Sequence, residues 1–279
     1  MIRGPGAAAP IGVFDSGVGG LTVLRALRRR LPHEDTVYLG DTARVPYGPK
    51  SPETVRRYAG EAGDFLLDHG VKLLVVACNT ATARALPDLV EDLPVPVVGV
   101  IEPGARAAVR ASRGGAIGVI GTAGTVASGA YEEAIRSLRA DARVEAAACP
   151  LFVALVEEGW TEGPVARLTA ERYLEPLLSR GIDTLVLGCT HYPLLSPLLE
   201  SVVGPDVALV DSAEATAATV QETLGRLGLA APLGGRPGRA LHYVTDDAAR
   251  FREIAGRWLG SEPDHLELVE LPHRPAAGP

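Results

Sequence analysis

Lysine is nearly absent. Lys50 and Lys72 are the only two in 279 residues, and the other basic side chains are arginines. Lys50 lies in the turn Pro49-Lys50-Ser51-Pro52 and Lys72 opens an apolar run, so neither suits the Schiff-base anchor of a pyridoxal enzyme. Cysteine is equally sparse. Cys78, Cys149 and Cys189 are odd in number and far apart, which does not suggest a disulfide framework. There is no C-x-x-C pair and no histidine at zinc-finger spacing, so no structural zinc is expected. No Gly-Lys-Ser/Thr occurs, and Thr22 stands where a G-x-G-x-x-G frame starting at Gly17 needs its last glycine, which excludes both nucleotide motifs. No apolar run approaches the ~20 residues of a membrane span and no secretory h-region is visible, so a cytoplasmic protein without a membrane partner is expected. The net charge of −7 lacks the basic excess of a nucleic-acid binder.

What remains is an ordinary globular composition, 47% hydrophobic and 22% charged, with length for about two domains. The tail through Pro10 is rich in Gly, Ala and Pro and is expected to be mobile. Beyond it, strands are expected at Ile11–Phe14, Thr36–Leu39, Lys72–Ala77, Val95–Val100, Ala116–Ile120, Asp183–Leu187, Val207–Val210, Ala240–Val244 and Leu266–Val269. Helical patterns cover Gly19–Leu31, Glu53–His69, Thr80–Asp92, Thr125–Arg139, Pro164–Ser179, Leu194–Val202, Ala213–Leu227 and Asp247–Leu259. This alternation predicts an α/β protein with doubly wound parallel sheets.

An internal repeat is more informative than the elements themselves. Ile11-Gly12-Val13-Phe14 matches Ile117-Gly118-Val119-Ile120, and Leu74-Val75-Val76-Ala77-Cys78-Asn79-Thr80 matches Leu185-Val186-Leu187-Gly188-Cys189-Thr190-His191, in the same order and at nearly the same separation. Two similar α/β domains related by a pseudo-twofold axis follow, each with one cysteine between a buried strand and a helix. Ligands of open parallel sheets bind at the carboxyl ends of strands, so the two thiols are expected to face one interdomain cleft. The helix dipole is expected to lower the pKa of such a cysteine. Two facing thiols suit a two-base reaction that inverts a carbon, one removing a proton and the other returning one to the opposite face. Asn79, Thr80, Thr190 and His191 are either helix caps or ligand contacts. Asp15, at the tip of the first strand, is either a cap or an acid that holds an ammonium group or orients a base. His191 is placed to exchange a proton with Cys189. Cys149 lies outside the repeat and reads as structural.

Five motifs in order carry a resemblance: Phe14-Asp15-Ser16-Gly17-Val18-Gly19-Gly20-Leu21, Asp41-Thr42-Ala43-Arg44-Val45-Pro46-Tyr47-Gly48, Ala77-Cys78-Asn79-Thr80-Ala81, Cys149-Pro150-Leu151-Phe152-Val153 with Glu157-Glu158-Gly159, and Leu187-Gly188-Cys189-Thr190-His191-Tyr192-Pro193. From about Ile11 to Ala213, and more weakly to Trp258, the chain resembles the bacterial glutamate racemases. The resemblance implies a cofactor-independent enzyme that supplies D-glutamate for peptidoglycan. It implies that Cys78 and Cys189 are the acid/base thiols, Cys78 acting on D-glutamate and Cys189 on L-glutamate. Asp15 and His191 would assist them, with Glu157 supporting the second. Asp15, Ser16, Tyr47, Gly48, Asn79, Thr80, Thr190 and His191 would line the glutamate site. It further implies a first domain of residues 1–99 completed by about 211–279, and a second of residues 100–210. A homodimer is left open. An aspartate or hydantoin racemase, a thiol hydrolase using one Cys and a His, and a binding protein on the same scaffold are the competing assignments; the paired cysteine speaks against the hydrolase.

Overall fold

The computed structural model describes residues 6–232, 234–260 and 262–273. In chain order its strands are β1 (Ile11–Asp15), β2 (Thr36–Gly40), β3 (Leu73–Val76), β4 (Val97–Gly99), β5 (Ala116–Gly121), β6 (Arg143–Ala148), β7 (Thr184–Gly188), β8 (Ala208–Asp211), β9 (Ala240–Val244) and β10 (Leu266–Leu268). Its helices are α1 (Leu21–Arg30), α2 (Pro52–Asp68), α3 (Asn79–Asp92), α4 (Ile101–Ala111), α5 (Ala123–Ser128), α6 (Ala130–Leu138), α7 (Leu151–Glu157), α8 (Pro164–Leu178), α9 (Ser196–Val203), α10 (Ser212–Leu227) and α11 (Ala248–Leu259). The strands form two sheets in the orders β10-β9-β2-β1-β3-β4 and β6-β5-β7-β8. Every pairing between them is parallel. The inner strands β1, β2, β3, β5 and β7 are buried along their whole length, as sheets covered on both faces require.

The sequence repeat is a repeat of topology. β1 lies between β2 and β3 with β4 outside; β5 lies between β6 and β7 with β8 outside. In this order the chain leaves the central strand in opposite directions, which opens a crevice at the carboxyl ends of β1 and β3, and again at β5 and β7. Asp15 ends β1 and Cys78 follows β3; Thr122 follows β5 and Cys189 follows β7. The C-terminal strands β9 and β10 extend the first sheet beyond β2.

Local chemistry sets several boundaries. The Ser51 hydroxyl caps α2 at the Thr54 N–H, with Pro52 in the first turn. Asp211 and Asp247 cap α10 and α11. The single helix expected over Thr125–Arg139 is two, because Gly129 adopts φ 71° and closes α5 before α6 begins. Three elements escaped the sequence reading. β6 is a mostly half-exposed edge strand of small and charged residues, α4 carries Pro103 and Gly104 in its first turn, and α7 starts directly after Pro150. Residues 1–5 of the tail expected to be mobile lie outside the described residues, but its near end is fastened. The Lys72 ammonium donates to the Ala7 carbonyl at 2.6 Å, and the Lys72 N–H donates to the Pro10 carbonyl at 2.9 Å.

Lys72 is fully buried, so its charge has to be matched. Its partner is Glu34 at 2.5 Å, and the second oxygen of that carboxylate accepts the Ala231 N–H at 2.7 Å. The pair thus ties the N-terminal segment and the start of β3 to the stretch that leads into β9. Removing one member of a buried pair leaves the other charge unpaired, which costs about 3–5 kcal/mol. Lys72→Met is expected to lose that much stability in urea unfolding, and Glu34→Gln in the same background to regain part of it. Equal stability of Lys72→Met and the unaltered chain would show that the pair does not hold these segments.

Candidate active site

The two cysteines end in the same pocket. Its empty space is ≈ 340 Å³ with the open mouth included, and its walls are Ser16, Pro46, Tyr47, Gly48, Cys78, Asn79, Thr80, Thr122, Val153, Cys189, Thr190 and His191. Residues from the carboxyl ends of both sheets therefore close on one space. Among the described residues, no group of three or more His, Cys, Asp or Glu side chains could hold a metal ion, and no helix is long and apolar enough to cross a membrane.

Cys78 is itself the cap of α3. Its sulfur accepts the Ala81 N–H at 3.4 Å, a position that leaves Asn79 and Thr80 inside the helix with both residues on the pocket wall. The thiol donates to the Ser16 hydroxyl at 3.4 Å. The expected lowering of its pKa is overturned: burial, reinforced by the Asp15 carboxylate, pushes the Cys78 thiol up to about 12, against the pull of its two hydrogen bonds. The thiol is only 5% exposed, so the loss of water outweighs a helix dipole. Asp15 lies behind the pocket wall, fully buried. One carboxylate oxygen accepts the Gly17 N–H at 2.9 Å, and the other has no protein partner. Burial raises its pKa, with the charge of His191 and the N–H groups of Gly20 and Gly17 opposing.

Cys189 has a different neighbourhood. Its sulfur lies 3.8 Å from His191 Nδ1, and His191 Nε2 lies 3.0 Å from Glu157 Oε1. Burial alone would keep the imidazole neutral. The hydrogen bonds and charges of Cys189 and Glu157 outweigh it and raise the His191 pKa to about 10. Burial also works against the Glu157 carboxylate, yet the hydrogen bond from His191 holds its pKa below the usual value. Glu157 stands at the end of α7, behind His191, and its charge also contributes to raising the pKa of Asp15. The Trp258 ring, from α11, packs at right angles to the imidazole, 5.7 Å between centroids.

The seam between the halves is made largely of backbone. The Gly124 N–H donates to the Gly48 carbonyl at 2.9 Å, and the Thr22 hydroxyl lies 3.1 Å from the Thr190 carbonyl. A Cβ on Gly19 would fall 2.1 Å from the Thr190 hydroxyl and 2.6 Å from the His191 ring, so only glycine permits this approach. Thr80 meets Thr122 across the pocket at 2.8 Å. Tyr47 lines the wall with its ring, while its hydroxyl donates to Asp41, which also pairs with Arg44 at 2.7 Å. Cys149 sits in the core, fully buried, with burial pushing its thiol up to about 12.

The sequence reading missed Pro46, Thr122 and Val153 on the wall, and Tyr131, whose hydroxyl donates to Asn79 Oδ1 at 2.7 Å. Thr122 had a signal: the repeat that matches Gly12 with Gly118 also matches Ser16 with Thr122. Tyr131 had none, because it comes from the middle of the other half.

The chain matches the model of the Asp/Glu/Hydantoin racemase family over residues 12–220. The glutamate racemase of Geobacter metallireducens is 55% identical over 94% of this chain and 96% of its own length. The crystal structure of a glutamate racemase isoform from Bacillus anthracis superposes with TM-score 0.92 at 42% identity, covering 95% of this chain and 99% of that one. A Francisella tularensis glutamate racemase in complex with D-glutamate superposes with TM-score 0.88 at 36% identity, covering 95% and 98%. With matches this extensive in both sequence and fold, the chain belongs to the Asp/Glu/Hydantoin racemase family, on its glutamate racemase branch.

Proposed function

We propose that this chain interconverts L- and D-glutamate without a cofactor, in the cytoplasm, as the source of D-glutamate for peptidoglycan. The observation that carries the mechanism is the convergence of Cys78 and Cys189, from opposite halves, on one narrow pocket. With L-glutamate bound, the Cys189 thiolate takes the α-proton, and the electron pair of the broken C–H bond spreads into the substrate carboxylate. The Cys78 thiol then gives its proton to the opposite face. The product is D-glutamate, with the proton inventory of the two sulfurs exchanged; the reverse reaction restores it.

The resting charges suit this division. Cys78, pushed up to about 12, enters as the thiol donor. His191, raised to about 10, is an imidazolium at neutral pH and supplies the counter-charge for a thiolate on Cys189. Asp15 assists Cys78 from behind, and Glu157 holds the imidazolium. The α-proton is weakly acidic and a thiolate is a weak base, so most of the barrier falls to donors that meet the growing carboxylate charge in a dry cleft. Asn79, Thr80, Thr122 and Thr190 offer such donors.

Three outcomes test the proposal. Cys78→Ala and Cys189→Ala are each expected to lose racemisation and Cys149→Ala to keep it, read by circular dichroism of glutamate. A dispensable cleft cysteine would end the two-base assignment. In elimination of HX from β-halogenated or N-hydroxylated glutamate, only the abstracting base is needed. Cys78→Ser is then expected to retain elimination from the L-analogue and Cys189→Ser from the D-analogue; the same preference in both variants would contradict facing thiols. The third outcome follows from His191. Its pKa lies above the usual 6.5, so the protonated form contributes stability and activity that are complete below about 6.5 and lost as pH climbs through about 10. Glu157→Gln removes one of the charges that raise this pKa and is expected to move the alkaline limb of L-glutamate turnover down by about 1 unit. An unmoved limb would show that Glu157 does not act through the imidazole.

A further inference from the structure

The two ends of the Asn79 amide face different surroundings. Asn79 is the first residue of α3, 3% exposed and on the pocket wall. Its carbonyl oxygen accepts the 2.7 Å hydrogen bond from the Tyr131 phenol, while its Nδ2, also buried, has no protein partner. Tyr131 stands on α6 of the other half. A Cβ on Gly188 would come 3.0 Å from its ring, and one on Gly104 3.3 Å from its hydroxyl, so the ring is fixed on both sides. The Ser212 side chain hydrogen-bonds the same phenol.

A phenol has one proton. With the Ser212 hydroxyl donating to its oxygen, Tyr131 commits that proton to Asn79, and burial, which pushes the phenol's pKa well above its ordinary value, keeps the proton there. This decides something that packing cannot. The oxygen and nitrogen ends of a primary amide are nearly the same shape, so only a hydrogen-bond partner selects which end faces a pocket. An oxygen turned inward would set lone pairs against an anionic substrate; an NH2 turned inward offers two donors. The bond also crosses between the halves.

We propose that Tyr131 is a positioning residue: it holds the Asn79 amide with its NH2 directed at the substrate carboxylate onto which charge moves when the α-proton leaves. This rests on the glutamate racemase activity proposed above. A donor aimed at developing charge contributes mainly to turnover rather than to ground-state binding.

Steady-state kinetics in both directions test the proposal with Tyr131→Phe, Asn79→Ala, the double variant and Asn79→Asp. Tyr131→Phe keeps the ring and is expected to lower kcat about 10- to 100-fold, less than outright removal of a donor, with KM changed less than about threefold. The double variant is expected to be no slower than Asn79→Ala, because Tyr131 acts through the amide it aims. Asn79→Asp keeps an acceptor for the phenol but turns a carboxylate oxygen inward, and is expected to fall below Asn79→Ala. The proposal is overturned if Tyr131→Phe turns over within twofold of the unaltered chain, if its loss falls on KM, if the two single losses multiply in the double variant, or if Asn79→Asp outperforms Asn79→Ala. An unaltered chain that exchanges no α-proton of glutamate in deuterated water would instead overturn the proposed function, and this inference with it.

Discussion

Two parallel sheets meet through backbone at their carboxyl ends, and the rest of the molecule depends on that contact. Any side chain at Gly19 would collide with Thr190 and His191, and the Gly48 carbonyl and Gly124 N–H could not reach 2.9 Å if either strand-to-helix turn were bulky. Because these turns are thin, Cys78 and Cys189 share a pocket instead of lying on separate walls. Because the pocket is narrow, its groups lose water, and burial becomes the largest influence on Asp15, Cys78, Glu157 and His191.

That loss of water acts unequally on the two halves, although the backbone repeats. Cys78 has a carboxylate behind it and a hydroxyl beside it, and burial keeps its proton on. Cys189 has a histidine and, behind that, a glutamate, which outweigh burial and charge the imidazole. A symmetric fold thus carries an asymmetric pair of thiols, one beside a carboxylate and a hydroxyl, the other beside an imidazole backed by a glutamate. The asymmetry comes from residues contributed by separate elements. Glu157 ends α7, and Trp258 reaches over the imidazole from α11, which follows β9 of the first sheet. The C-terminal segment therefore does more than extend a sheet; it closes the rear of the site in the opposite half.

The α/β class, the parallel sheets, the repeat and both pocket cysteines were legible in the sequence, because each rests on local pattern: buried apolar runs, helix signals, and cysteines at matching strand ends. The misses have local causes too. β6 has no large apolar side chain to mark it, α4 hides behind Pro103 and Gly104, and a glycine at φ 71° splits a continuous helical pattern into α5 and α6. The charge state of Cys78 was read in the wrong direction, since a helix N-terminus is visible in sequence and a desolvated pocket is not.

The sequence by itself determined the strand and helix order, the twofold repetition, and the positions of Cys78, Cys189, Asp15 and His191 at strand ends, since these follow from hydrophobic period and turn chemistry along the chain. Only the tertiary structure decided what those residues face. It put Glu157 on His191, Tyr131 on Asn79 and Thr122 on Thr80, pairs far apart in sequence that meet because the two sheets close on each other. It also decided which protons stay, because that depends on how much water remains once the cleft is shut, a property of the assembled volume and not of any segment.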